Sequence, residues 1–177
     1  MIYFDMDGVL FLYEREAYIH DDKGLARYNT LGGHYFSTVQ VDTYAAQLFK
    51  RCLSLLGGDV GVLTSVSKDP ELRIEQVMDK IMSVYKLEKS FDIGSKFIAV
   101  SSDKRDYITK IRETTLTSRD VLIDDWNANL YQWAAAGGTA IKYINGINSI
   151  GSWVGKYISK WDSMDKALNL ILSTIVG

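Results

Sequence analysis

Met1-Ile-Tyr-Phe-Asp5-Met-Asp7-Gly8-Val9-Leu10 is the stretch on which the interpretation of this chain turns. Residues 1–4 are apolar, the pattern of a strand buried on both faces. Asp5 and Asp7 follow one residue apart, so a strand sends both side chains to the same side at its carboxyl end. Gly8 then lets the backbone turn away sharply. Two carboxylates held together at neutral pH repel each other. A divalent cation with oxygen ligands is the usual way to offset that repulsion.

The 177 residues, 47% hydrophobic and 12% aromatic, suffice for one domain with a real core and room for a small insertion. A net charge of −2 provides no basic field, and no stable nucleic-acid partner is expected. The single cysteine, Cys52, excludes an internal disulfide and fits a reducing compartment, so a cytoplasmic location is expected. No long uncharged apolar run is present, and neither a membrane span nor a signal peptide is expected.

Beyond residue 40, strands and helices alternate. Apolar residues at 45, 48, 49, 52, 53 and 56 predict a helix over 42–56, stopped by Gly57-Gly58. Asp59 to Ser65 reads as a second strand, ending in Thr64 and Ser65. Asp69-Pro70 opens a long helix that runs to about Leu87. Lys96–Val100 is a third strand, followed by a helix over 103–112. Asp120–Asp125 is a fourth strand ending in two acids. A helix over 127–136 closes at Gly137-Gly138, and Thr139–Tyr143 is a fifth strand. Ser163 caps a last helix over 164–176. This alternation argues a parallel sheet with helices on both faces. Ligands bind such sheets at the carboxyl ends of the strands. Asp5/Asp7, Thr64/Ser65, Ser101/Ser102 and Asp124/Asp125 all fall there.

An apolar strand followed by Asp-x-Asp-Gly resembles the aspartyl-phosphate signature of the haloacid dehalogenase-like superfamily. Thr64 and Asp124-Asp125 match the later motifs of that superfamily in order. The resemblance implies an α/β fold, a three-layer Rossmann-like (flavodoxin-like) parallel sheet of about five strands. Residues 1–10 and 41–177 would form the core domain and residues 11–40 a small cap inserted after strand 1. It implies a Mg²⁺-dependent phosphatase. Asp5 would be the nucleophile, and Asp7 would protonate the leaving oxygen and then act as base for the hydrolytic water. Mg²⁺ would be reached by Asp5, the Asp7 carbonyl and one of Asp124 and Asp125. The presence of Asp7 counts against dehalogenation. Thr64 would hydrogen-bond a phosphoryl oxygen, with Ser65 and Lys68 as further substrate contacts.

Such a site also needs a lysine to neutralise phosphate charge. Lys80 and Lys104 are the candidates. Asp79-Lys80-Ile-Met-Ser-Val-Tyr-Lys resembles the lysine-bearing helix of 5′(3′)-deoxyribonucleotidases, which places Lys80 ahead and predicts it beside Asp5. Leu122-Ile-Asp-Asp125, Asn129 and Trp133-x-x-x-Gly-Gly resemble the same branch, including its short phage members. Trp126 and Trp133 are read as core, and Asn129 as a tie on the acidic loop. The implied partner is a small phosphomonoester, with a nucleoside monophosphate as the expected substrate. A phosphatase of nucleic-acid ends or of another small ester is the alternative. A non-catalytic binding domain of this fold is the alternative from another class. Tyr13, Tyr18, Tyr35 and Phe36 would either stack on a base over the opening or form the cap's own small core.

Overall fold

The computed structural model describes residues 1–14, 30–111 and 113–176. β1 (Ile2–Phe4) is buried on both faces and lies between β2 (Val60–Ser65) and β4 (Val121–Asp124). β3 (Phe97–Val100), β5 (Thr139–Ile144) and β6 (Lys156–Ser159) complete a wholly parallel sheet in the order β3-β2-β1-β4-β5-β6. The direction of winding reverses between β1 and β4, where open α/β sheets leave a crevice. This is the parallel α/β fold expected, with six strands instead of about five. β6 carries no apolar run: Lys156 and Tyr157 on this edge strand are exposed, and only Ile158 is buried.

The near-continuous apolar runs of the strands feed two cores. Ile2 and Phe4 face one way with Val60, Val62, Ile123, Ile141 and Ile158. They meet Leu48, Phe49 and Cys52 of α2 (Thr43–Leu56) and Leu168 and Ile171 of α7 (Met164–Val176). Burial pushes the Cys52 thiol up to about 12, so it serves as packing. Tyr3 faces the other way with Leu63 and Leu122, onto Leu130 and Trp133 of α6 (Asn127–Ala135). Trp133 is fully buried, meets the Tyr3 ring edge-on at 5.7 Å, and donates its indole N–H to Asp120 O at 2.9 Å. Gly138 is required beside it, because a Cβ there would lie 2.3 Å from the indole nitrogen.

The long helix α3 (Pro70–Leu87) starts as its sequence predicts. The Asp69 side chain accepts from Glu71 N at 2.9 Å and Leu72 N at 3.3 Å, with Pro70 in the first turn. Its polarity is turned inside out relative to an ordinary surface helix. Ile74, Met78, Met82 and Tyr85 are exposed, whereas Gln76, Asp79, Lys80 and Ser83 are buried. Residues 103–112 differ from the regular helix expected. After the short α4 (Ile93–Lys96) before β3, α5 (Lys104–Asp106) widens at once into a π turn over Tyr107–Ile111.

The segment after β1 leaves and returns through a narrow neck. Phe11 bridges Val41, Leu12 N donates to Gln40 O at 2.7 Å, and Asp42 N donates to Leu10 O at 2.9 Å. Beyond the neck, α1 (Tyr35–Thr38) packs on α3, with the Ser83 hydroxyl 2.8 Å from Phe36 O. Gln76 Nε2 donates to Leu31 O at 3.0 Å, and Glu75 accepts from Gly33 N. Tyr18 lies outside the described residues, as do His20 and Tyr28. Among the described residues, no helix is long and apolar enough to cross a membrane.

Trp133→Ala empties a fully buried ring site and removes the indole N–H bond to the Asp120 carbonyl, which keeps its bond from Thr139 N. A loss of about 3–5 kcal/mol is expected, read by urea unfolding followed by circular dichroism. An unchanged midpoint would show that the second core does not depend on this ring.

Candidate active site

Parallel register brings the acids together. Ile2, Tyr3 and Phe4 lie beside Val121, Leu122 and Ile123, and Asp5 N continues the ladder by donating to Ile123 O at 2.9 Å. Asp5 therefore stands next to Asp124, which in turn pairs in register with Lys142 of β5. Asp5, Asp7, Asp124 and Asp125 are all buried, none more than 5% exposed.

Lys104 holds the centre of this cluster. Its Nζ is 2.7 Å from Asp5 Oδ1 and 2.7 Å from Asp124 Oδ2. Burial alone would push this ammonium down, but Asp124 and Asp5 outweigh it and the net direction is up. Asp5 Oδ1 also accepts from Met6 N at 2.8 Å. Even so, burial holds the Asp5 carboxyl well above the usual carboxylate range. Lys104 pulls it down, while Asp124, Asp7 and Asp125 push it up. Asp124 is tied further by Trp126 N at 2.7 Å and by Asn129 Nδ2 at 3.0 Å, the tie expected of Asn129.

The expectation that Lys80 stands beside Asp5 is corrected here. Lys80 Nζ lies 2.5 Å from Asp7 Oδ2, 3.0 Å from Thr64 Oγ1 and 2.6 Å from Ser65 O. The reason lies in where each helix starts. α3 follows β2, so Lys80 meets the end of β2 and the residue that β1 turns toward it. Lys104 follows the end of β3 and reaches back over the sheet edge. The resemblance of the Lys80 segment to the deoxyribonucleotidase helix thus does not carry the lysine to the same partner.

Asp125 occupies a separate corner. Its Oδ2 accepts from Tyr13 OH at 2.9 Å and from Asn148 Nδ2 at 3.2 Å. Burial first, and then Asp124, push its carboxyl up to about 7, against the pull of Tyr13, Lys142 and Asn148. Gly8 is needed against this carboxylate. Its φ is +80°, and a Cβ would lie 2.2 Å from Asp125 Oδ2. Lys142 Nζ donates to Asp125 O at 2.6 Å and Asn127 Oδ1 at 2.7 Å. Asn145 is fully buried and donates to Gly8 O at 2.8 Å, joining the end of β5 to the turn after β1.

Asp5, Asp124 and Asp125 each present a carboxylate oxygen, all within 4.8 Å of one another. Three buried carboxylates form a donor set suited to a hard divalent cation. The Asp7 carboxylate faces Lys80 instead, which is compatible with its backbone carbonyl being the ligand. Among the other expected contacts, Ser65 is half-buried and Lys68 is exposed. Phe36 is 3% exposed, with Lys80 Nζ 4.4 Å from its ring centroid, so in this arrangement it is packing and not a stacking surface. Tyr13 is likewise buried, with its hydroxyl on Asp125. Tyr35 is half-buried, edge-on to Phe36 at 5.2 Å. Sequence reasoning missed Tyr13 as an Asp125 partner, as well as Lys142, Asn145 and Asn148. The polar residues directly after the β5 run were the available signal, since they too end a strand at the carboxyl edge.

No family model and no curated protein matches this sequence. Solved structures do share its architecture. The D,D-heptose 1,7-bisphosphate phosphatase from Burkholderia thailandensis has a TM-score of 0.56 at 13% identity, covering 96% of this chain and 97% of that one. A HAD family hydrolase from Deinococcus radiodurans R1, with bound phosphate and sodium, has a TM-score of 0.59 at 13% identity, covering 98% and 95%. At that identity the likeness is one of fold, and this chain shares the parallel α/β fold of both.

Proposed function

We propose that this protein is a Mg²⁺-dependent phosphomonoester hydrolase that works through an aspartyl-phosphate on Asp5. The observation that supports it most is the Lys104 bridge between Asp5 and Asp124 at the carboxyl edge, where the motif order places nucleophile and metal acid. Asp5 attacks phosphorus, and the leaving alcohol departs with a proton from Asp7. Water then attacks the same phosphorus with Asp7 as base, releasing phosphate and restoring Asp5. Lys104 keeps the attacking carboxylate oriented and offsets charge as the phosphoryl group transfers. Thr64 is the donor for a phosphoryl oxygen. The metal, held by Asp5, Asp124 or Asp125 and the Asp7 carbonyl, would neutralise phosphate charge when bound. It also answers the electrostatic problem of the site, because burial by itself favours the protonated form of Asp5.

The substrate class is a small phosphomonoester. A nucleoside monophosphate is the member that the motif resemblance favours. The segment over residues 11–40 is read as the cap that would select it. With Phe36 and Tyr13 committed to packing, Tyr35 is the described ring left to recognise a base.

Asp5→Asn preserves shape and removes the attacking charge, so phosphatase turnover should fall by several orders of magnitude with an unchanged circular dichroism spectrum. Near wild-type turnover would exclude the covalent route.

A panel of nucleotides and sugar phosphates, with and without Mg²⁺, tests the substrate. If Tyr35 stacks on a base, Tyr35→Ala should lower nucleotide use by about ten- to a hundredfold while sparing p-nitrophenyl phosphate. Parallel loss on both, with a lower melting temperature, would remove the nucleotide assignment.

The metal is tested through pH. Asp125 titrates at about 7 in the folded protein against an ordinary 3.8. Folding therefore favours its protonated form. That contribution is complete below about 3.8 and is lost as pH rises through about 7. In EDTA the melting temperature should thus decline between pH 5 and pH 8. Mg²⁺ requires the carboxylate, so its stabilising shift should be larger at pH 8 than at pH 5. A shift that is absent, or equal at the two pH values, would count against a metal at this cluster.

A further inference from the structure

The proposed chemistry calls for one lysine, yet Lys104, Lys80 and Lys142 are all buried at this edge. Lys104 serves Asp5. Lys80 does not touch Asp5, and its side chain is 0% exposed. An ammonium has three N–H donors, and Lys80 has three acceptors in place. Two of them, Thr64 Oγ1 at 3.0 Å and Ser65 O at 2.6 Å, belong to the end of β2. The third is Asp7 Oδ2 at 2.5 Å. Phe36 lies over the ammonium on its other side, 4.4 Å away at the ring centroid. With its donors so committed, Lys80 reaches a substrate only by giving up a partner. Its action therefore runs through Asp7.

We propose that Lys80 is the positioning residue of the leaving-group side. It pins Oδ2 of Asp7 to the end of β2, so that Oδ1 carries the proton that Asp7 delivers. This rests on the phosphohydrolase reading above. In the first half-reaction the Asp5 oxygen–phosphorus bond forms and the phosphorus–alcohol oxygen bond breaks. The electron pair stays on the departing oxygen, which takes the proton from Asp7 Oδ1. Asp7 is left as a carboxylate held by the Lys80 ammonium. In the second half-reaction a water oxygen bonds to phosphorus, the Asp5–phosphorus bond breaks, and the water proton goes to Asp7.

Dependence on the leaving group separates this role from a structural one. Positioned general acids contribute roughly 10²–10⁴-fold, and only where the departing oxygen is basic. The measurement is kcat/KM, which reports transfer to Asp5, for an alkyl phosphate and for 2,4-dinitrophenyl phosphate with Mg²⁺. Lys80→Met should lower the alkyl value by roughly a hundredfold or more and the dinitrophenyl value by no more than about threefold. In an Asp7→Asn background the same substitution should change the alkyl value by less than about threefold, since its target is already gone. Equal loss on both esters, or full loss in the Asp7→Asn background, overturns the assignment of Lys80 and leaves the phosphatase standing. No turnover of either ester by the wild type overturns the phosphatase reading itself, and this inference with it. Should Lys80→Met fail to fold, Lys80→Gln, which retains amide donors without the charge, takes the same assays with the same expected ordering.

Discussion

Burying four carboxylates at one edge of a sheet is the constraint around which this molecule is built. Unpaired, each would carry a desolvation penalty of several kcal/mol. Asp5, Asp7, Asp124 and Asp125 are instead met by Lys104, Lys80 and Lys142, each drawn from a different element. Three ammonium groups against four carboxylates leave one negative charge in surplus. Burial, with the neighbouring Asp124, raises the Asp125 carboxyl to about 7, and the side chains that donate to it, Tyr13 and Asn148, are neutral. A divalent cation held by these carboxylates would more than offset that surplus.

The inversion of α3 follows from the same constraint. A helix that must deliver Lys80 to the strand ends cannot also present an apolar face there. Besides Val84, its buried residues are Gln76, Asp79, Lys80 and Ser83, and each of these four finds a polar partner. Ser67 N donates to Gln76 Oε1 at 2.8 Å, His34 Nδ1 lies 3.1 Å from Asp79 Oδ1, and Ser83 meets the Phe36 carbonyl. Two of these partners, His34 and Phe36, come from the segment inserted after β1. The segment after β1 is thereby bound to the helix that carries Lys80, so its position and the Lys80–Asp7 contact are both held by one helix.

How much could be read in advance depended on how local each signal was. The strands were legible because each apolar run ends at a polar residue of the candidate site: Phe4 before Asp5, Leu63 before Thr64, Ile123 before Asp124. The helix starts at Asp42 and Asp69 were legible because a cap is a contact across two or three residues. The lysine was not. A lysine side chain spans several ångströms, and whether Lys80 or Lys104 meets Asp5 depends on how α3 and α5 cross the sheet edge. Nothing in either segment encodes that crossing. Phe36 and Tyr13 were ambiguous for a related reason, since an aromatic residue near a site looks the same in sequence whether it packs or binds. β6 escaped because an edge strand needs only one buried residue, here Ile158.

The position of β1 also bears on how the chain comes to be folded. Ile2 pairs with Val60 on one side and Val121 on the other, so the strand carrying Asp5 precedes both of its neighbours by long stretches of chain. Each pairing closes a large loop, which is entropically slow compared with forming a helix. Until β4 arrives, β1 has an open, wholly apolar edge and Asp5 has no counterion from Lys104. Completion of the central strand is therefore a late and cooperative event, and partly folded chains pass through a state whose most aggregation-prone segment is the one that leads into Asp5.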